Sequence, residues 1–290
     1  MKLIKPSFEI LDQQPGLEGI YKQIELSGRT CYKSEDKITE DSAKEFVDRM
    51  IKSGHGAMLE HGTVYLKFEG IVHAFGIGYL GGMKYIGNPY SKVNIEGTTQ
   101  YVTVNFRVLV ENSWLDDLKY ICEPTEHHEK RITVKFITDQ GILREFTRHR
   151  RFSFAVESTR YCNYSRSKFS NEVTFIQPNW ISDEDIKNYH MDLDYFTDQD
   201  DNHITAINRF MSALKNAEYF YMELIKLGWK PQQARNVLPL ATKCDMVMTG
   251  FVSDWKNFFE LRDAASAHPQ AQELAHSLHE IFIQRGYIKD

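Results

Sequence analysis

Between Asp201 and Leu227 the residues Ile204, Ile207, Met211, Leu214, Ala217, Tyr221 and Leu224 recur at helical spacing along one face, and Gly228 closes the run. An apolar stripe of that length must be covered by a core or an interface, so it commits the chain to a packed architecture containing one long helix. At 290 residues and 42% hydrophobic content the chain can bury a substantial core. A single elaborated domain spanning 1–290 is the expected organisation.

The remaining pattern is mixed. From Asp41 to Ser53 the residues Phe46, Val47, Met50 and Ile51 mark a helix that Gly54 stops, so His55 lies just beyond a helix end. Strands are predicted at Thr63 to Phe68 and at Arg131 to Ile137, the latter with Ile132, Val134 and Phe136 on one side. Pro231 opens a short helix through Gln233, Ala234 and Arg235, and Asp254 to Arg262 and Pro269 to Arg285 read as two more. The stretch from about 68 to 131 is the least regular. It carries Gly, Asn, Ser and Tyr from Gly81 to Gln100, then a predicted strand at Tyr101 to Val110 and a helix near Trp114 to Cys122, and reads as an insertion.

A net charge of -5 argues against a general nucleic-acid binder, so any anionic ligand must be held by a local basic cluster. No stretch approaches the ~18 apolar residues that would cross a bilayer, and the first residues lack a signal-peptide apolar run. Cys31, Cys122, Cys162 and Cys244 form no CxxC pair, which suits neither a disulfide framework nor a zinc knuckle and points to a reducing cytoplasm. His55, Glu60 and His61 do not have the HExxH spacing that puts two imidazoles on one helical face, so no metal is expected. His127 and His128 read as part of a solvated, charged stretch, and His268, before Pro269, as either a helix cap or a site residue.

The basic cluster lies at Gly141 to Arg151. Read as a helix, its i, i+4 and i+7 face would carry Arg144, Arg148 and Arg151, with His149 and Arg150 beside them. Like charges at this spacing cost a helix roughly 0.2 to 0.5 kcal/mol per pair, so a carboxylate, a helix C-terminus or a bound anion must compensate. A purely structural basic face is one reading and an anion site is the other. The continuation RHRRFSFAVESTRY adds the hydroxyl of Ser158 and the guanidinium of Arg160, which suit phosphate oxygens.

That string resembles the signature of the flavin-dependent thymidylate synthases: an RHR triplet, seven residues, Ser, then Arg and Tyr. Three further segments agree in the family's order. SGHGAMLEHGT resembles its His-x4-Glu-His stretch, with His55, Glu60 and His61 in place; QARNVLP resembles Ala-Arg-x-x-Leu-Pro; and NFFELR resembles Asn-Phe-x-x-Leu-Arg. The resemblance covers the N-terminal third and nearly everything after Arg131. It implies an α+β fold, a central mixed or antiparallel sheet flanked by helices with a long central helix, assembled as a homotetramer with sites at subunit junctions.

The implied reaction is reductive methylation of dUMP to dTMP, with methylene-tetrahydrofolate as carbon donor, reduced FAD as hydride source, NADPH as reductant and no cysteine nucleophile. By the same resemblance Arg262 is the catalytic residue that polarises the pyrimidine. Arg148, Ser158, Thr159, Arg160, Arg235 and Glu145 are implied to meet the substrate, while His55, Arg148, His149, Arg150, Arg151 and Asn257 meet the flavin.

The chain departs from the family pattern in several places. Ala155-Val156 stands where Asn-Glu is common, and whether neighbouring Glu157 substitutes is left open, because a one-residue shift reverses side-chain direction in an extended segment. Glu145 replaces a frequent glutamine and would repel a phosphate unless Arg144 or Arg148 neutralises it. Phe251-Val252-Ser253 replaces Asn-x-Arg. Tyr85, Tyr90, Tyr101 and Asn105 of the insertion are candidate replacements as ligand neighbours, with a lid or a subunit contact as the alternative. Asn257 and Arg262, about 140° apart on an ideal helix, need not face one ligand atom. Two competing functions follow from the departures: a pyrimidine nucleotide hydroxymethylase on the same scaffold, and a nucleotide-binding regulator without flavin.

Overall fold

The computed structural model of the chain describes residues 1–70, 80–187 and 205–289, with the backbone alone at 72–73 and 76–77. The N-terminal half runs β1 (Lys2–Ile4), β2 (Ser7–Ile10), α1 (Gly16–Tyr32), α2 (Ser42–Lys52), α3 (Gly56–Leu59), β3 (Thr63–Glu69), β4 (Val72–His73), β5 (Gly76–Ile77), β6 (Ser91–Glu96), β7 (Thr99–Asn105) and α4 (Phe106–Glu111). It continues with β8 (Arg131–Asp139), α5 (Gln140–Phe146), β9 (Ser153–Val156), β10 (Thr174–Ile176), α6 (Asp183–Lys187), α7 (Ala206–Lys226), α8 (Pro231–Ala234), β11 (Lys243–Phe251), α9 (Val252–Arg262) and α10 (Pro269–Gln284).

The main sheet is antiparallel in the order β2-β8-β11-β9. Its central pair runs from Arg131 opposite Phe251 to Asp139 opposite Lys243. Period-2 alternation puts Ile132, Val134 and Phe136 of β8 and Met246 and Met248 of β11 on one face, where Trp255 and Phe258 of α9 and Leu278 and Phe282 of α10 cover them. Each such fully buried side chain contributes about 1.5–3 kcal/mol. On β11 only glycine fits at 250, because a Cβ there would stand 2.4 Å from the Phe152 ring. Gly250→Ala is therefore expected to lose roughly 1–3 kcal/mol by overpacking, read as a lower urea midpoint; an unchanged midpoint would show that Phe152 yields freely.

Two smaller cores flank this one. The sheet β3-β7-β6 packs Val64, Leu66, Val102 and Val104 against Ile24 of α1 and Phe46 and Val47 of α2. The segment read as an insertion thus supplies two of its three strands. The third core joins Leu214 and Tyr221 of α7 to Val173 and Phe175.

Several expectations shift. The strand expected at Tyr101 to Val110 ends at Asn105, whose side chain accepts a hydrogen bond from the Val108 N–H (3.0 Å) and turns the chain into α4. The helix expected near Trp114 to Cys122 is a 3-10 turn at Leu115–Tyr120. The helix expected to reach Arg151 ends at Phe146, so Arg144, Arg148 and Arg151 do not share one helical face. Thr147 closes it, its hydroxyl donating to the Leu143 carbonyl at 3.0 Å. The cations therefore gather just past a helix C-terminus, where the macrodipole favours them.

The long helix begins at Ala206 with Thr205 as its cap, and Gly228 follows its end at φ +94°. The part of that stripe from Asp201 to Ile204 lies outside the described residues. In the monomer α7 is peripheral and not central: it supplies nothing to the main sheet's core and leaves Tyr219, Phe220 and Leu227 exposed.

Candidate active site

The strand β8, the helix α5 and the turn into β9 deliver the basic cluster to one edge of the main sheet. The turn buries His149 and leaves Arg148, Arg150 and Arg151 exposed. From the other side α9 brings Asp254, Asn257, Leu261 and Arg262. Together with Phe152 these residues line a cleft of about 300 Å³. Asn257 and Arg262 share it despite their angular separation, since helix side chains lean toward the N-terminus and arginine is long enough to reach back.

Arg262 is the best-anchored cation in the cleft. Its Nε–H donates to His149 Nε2 at 3.0 Å, Nη1 to Glu145 Oε2 at 2.7 Å and Nη2 to the Glu145 carbonyl at 2.7 Å. Glu145 is thus neutralised by Arg262, not by Arg144, and Arg148 stands off at 3.8 Å. Arg151 approaches Asp254 only to 3.8 Å. Arg148, Arg150, Arg151 and Arg262 face two carboxylates, Glu145 and Asp254, which leaves two guanidinium charges for an anionic ligand.

Because Arg262 donates to it, His149 Nε2 must be unprotonated. Burial, and then the Arg262 charge, hold the His149 pKa down to about 4, while Glu145 opposes this. His61, fully buried and with Nδ1 2.8 Å from Thr249 Oγ1, is held down to about 3 by burial and by Arg131. Both are neutral in the fold, whereas an unfolded histidine takes up its proton near pH 6.5. The unfolded state therefore binds more protons as pH falls from about 6.5 toward 4, and stability declines through that window. Urea midpoints are expected to fall between pH 7 and pH 4.5; a flat profile would contradict the buried, neutral histidines.

Beyond the cleft, β9 carries the chain to a second cluster. Arg235 Nη1 donates to Thr159 Oγ1 at 2.9 Å, the Ser158 N–H donates to the Cys31 carbonyl at 2.9 Å, and Arg160 is exposed. Four strand residues separate the two groups by roughly 13 Å at 3.3 Å per residue. Ser158, Thr159, Arg160 and Arg235 therefore do not line the Arg262 cleft of the same chain. His55 is exposed before α3 and lines it no more than they do.

Glu157 does not turn toward a ligand. It is buried, accepts from Lys243 Nζ at 2.8 Å and from the Asp245 N–H at 3.1 Å, and lies on the same face of β9 as buried Ala155. Val156 packs against the main core. Among the insertion residues, the Tyr85 hydroxyl donates to Asp117 at 2.7 Å, Tyr101 sits 4.7 Å from the His127 ring, and Asn105 caps α4. None of these, nor Tyr90, lines the cleft. They hold the insertion together.

Glu60 binds Arg107 at 2.6 Å. Among the described residues no cluster of His, Cys, Asp and Glu could hold a metal ion. No helix there is long and apolar enough to cross a membrane. Burial pushes the Cys31 thiol up to about 11, and burial with Glu157 pushes Cys162 up to about 12, so neither supplies a thiolate near neutrality.

Sequence reading missed Phe152, Asp254 and Leu261 as cleft residues. It also missed a neighbouring cleft of about 410 Å³, which shares Arg148 with the first and adds Glu145, Trp180, Phe210, Leu240 and His268. His268 is both the residue before α10 and part of this wall, 6.0 Å from the Trp180 ring. His268, before Pro269, carried a local signal as a cap or a site residue; Trp180, Phe210 and Leu240 carried none, and only tertiary folding brings them to it.

The family model described as thymidylate synthase complementing protein matches residues 121–285. A probable flavin-dependent thymidylate synthase of Paramecium bursaria Chlorella virus 1 is 28% identical over 153 residues, 53% of this chain and 66% of that protein. The flavin-dependent thymidylate synthase of Haloarcula marismortui is 26% identical over 162 residues, 54% of this chain and 64% of its own length. The chain thus spans just under two thirds of these relatives. A solved UMP/dUMP methylase, PolB of Streptomyces cacaoi bound with 5-Br dUMP, aligns over 98% of this chain and 93% of its own at 18% identity, with a TM-score of 0.44.

Proposed function

The chain belongs to the thymidylate synthase complementing protein family, and from that premise we propose that it is a flavin-dependent thymidylate synthase, converting dUMP to dTMP by reductive methylation. The observation that carries this is Arg262, fixed by Glu145 and neutral His149 at the wall of a cleft with two uncompensated guanidinium charges. FAD suits this site, because Arg148, Arg150 and Arg151 are exposed, short of any tight ion pair, and flanked by Asn257. When bound, FAD supplies the hydride, methylene-tetrahydrofolate the carbon and NADPH the reducing equivalents.

The chain's own residues bind, orient and polarise. Arg262 stabilises charge developing on a pyrimidine carbonyl, and His149, kept neutral, holds the Arg262 guanidinium by accepting its Nε–H. Ser158, Thr159, Arg160 and Arg235 hold the substrate phosphate. At about 300 Å³ the cleft is at the lower limit for an enclosed ligand, too small for a flavin dinucleotide and a nucleotide together. Walls from other copies complete it in a homotetramer, where the Ser158 cluster of one subunit meets the Arg262 cleft of another. The exposed Tyr219, Phe220, Leu227 and Trp229 at the end of α7 suit such contacts. Four free thiols suit a reducing cytoplasm.

The test is the visible spectrum of the purified protein, before and after FAD and then dUMP. Flavin bands that shift on adding dUMP, followed by tritium release from the pyrimidine and a dTMP product mass, are the expected result. A hydroxymethyl product would move the assignment to a hydroxymethylase. A protein that binds dUMP without taking up flavin would make it a regulator.

A further inference from the structure

We propose that Glu145 is the positioning residue for Arg262, turning the guanidinium from a free cation into an oriented donor with little net charge, which favours a carbonyl oxygen over a phosphate at that end of the cleft. The inference rests on the thymidylate synthase reading and adds a source of selectivity to it. A guanidinium has five N–H donors in a fixed fork. Three are taken, by His149 Nε2, Glu145 Oε2 and the Glu145 carbonyl; two therefore remain, one on each Nη. Contacts from both sides of the fork fix its plane, so those two N–H groups point in set directions.

The pair is only partly screened, with 14% of the Arg262 side chain and 31% of that of Glu145 exposed. The negative charge therefore stays beside the positive one and offsets its field over the cleft. A pyrimidine oxygen that gains only partial charge can still be met by two directed N–H groups. A phosphate dianion gains little there and is repelled by the second carboxylate oxygen, which has Arg148 only at 3.8 Å. Phosphate is steered instead to cations with no such partner.

Glu145→Gln keeps an oxygen that can accept from Arg262 but removes the charge, while Glu145→Ala removes both. The Ala variant is expected to lose roughly tenfold or more in kcat with a smaller change in KM, and the Gln variant to recover most of that loss. Both variants are expected to bind inorganic phosphate several-fold more tightly, measured by calorimetry on the flavin-free protein, since the carboxylate that opposes it is gone. In unfolding, Glu145→Ala and Arg262→Ala are expected to be non-additive. A Gln variant as impaired as Ala, an Ala variant with full kcat, or phosphate affinity unchanged in both would overturn the proposal. If the wild-type protein bound no flavin and turned nothing over, the thymidylate synthase reading would fail, while the phosphate titration and the unfolding cycle would still decide the Glu145 pairing.

Discussion

Arg262→Ala is expected to lower dTMP formation by roughly 10²–10³-fold, the usual cost of removing one donor aimed at developing charge, while the protein still takes up FAD. On the proposed assignment Arg148, Arg150, Arg151 and Asn257 would still be there to hold the flavin, and Arg262 makes its three contacts to Glu145 and His149, not to them. Folding should suffer little, because Glu145 is partly exposed and can be solvated when its partner is removed. Arg262→Lys is expected to rescue little: an ammonium is a point donor on a flexible stem and cannot meet His149 Nε2, a carboxylate and a carbonyl in one plane. Arg148→Ala, by contrast, should weaken both flavin and nucleotide, since Arg148 is shared by the two neighbouring clefts. Rates under saturating dUMP, set beside the flavin absorbance of each variant, separate these outcomes. Full turnover by Arg262→Ala would remove Arg262 from the reaction.

Much of this arrangement was legible in the sequence because it is local. The alternation of Ile132, Val134 and Phe136 marks β8, Gly54 and Gly228 mark helix ends, and Pro231 marks a helix start, each through a backbone preference that acts over a few residues. The run from Arg148 to Arg151 drew attention to this cleft, whereas Ser158 and Arg160 of the same signature stand outside it in the same chain. Long-range features were not legible. The helix ended five residues early at Phe146, because the Thr147 hydroxyl turned back on the Leu143 carbonyl, and that moved the arginines off a shared helical face. The partner of Glu145 was sought among its chain neighbours and lies 117 residues away. The aromatic residues of the insertion looked free for a ligand because sequence cannot show that Tyr85 is already committed to Asp117. Whether Glu157 substitutes as a ligand contact stayed open in the sequence because periodicity gives a face and not its neighbour, and the neighbour is Lys243.

That neighbour belongs to the largest buried ionic network described, and its loss is expected to have the largest effect on stability. Asp245, 2% exposed on β11, pairs with Lys33, with Lys243 at 2.5 Å and more distantly with Lys135 at 3.7 Å. Glu157 also pairs with Lys243, and Glu35 with Lys33 at 3.1 Å, so three lysines face three carboxylates. Burial alone would raise the Asp245 pKa; Lys243 and Lys33 outweigh it and hold the carboxyl below its ordinary value. Burial likewise opposes the charge on Lys33, and Asp245 restores it. Asp245→Asn would leave three mostly buried ammonium groups with two carboxylates, and stranding a buried charge costs about 3–5 kcal/mol. For a chain of this size that is a fall in melting temperature on the order of 10 °C. The sign of the pH dependence follows: a depressed carboxyl stabilises the fold above its unfolded pKa near 4, and that stability is lost as pH falls through the lower folded value. The wild type is therefore expected to lose more stability than Asp245→Asn on acidification below about pH 4, and the two melting curves should converge there. Glu157 directly precedes Ser158, whose N–H is held by the Cys31 carbonyl two residues before Lys33. On the proposed assignment of the Ser158 cluster to the substrate phosphate, the same substitution should therefore loosen that cluster and raise the KM for dUMP. An Asn variant that melts with the wild type at pH 7 would show that water, and not Asp245, compensates these lysines.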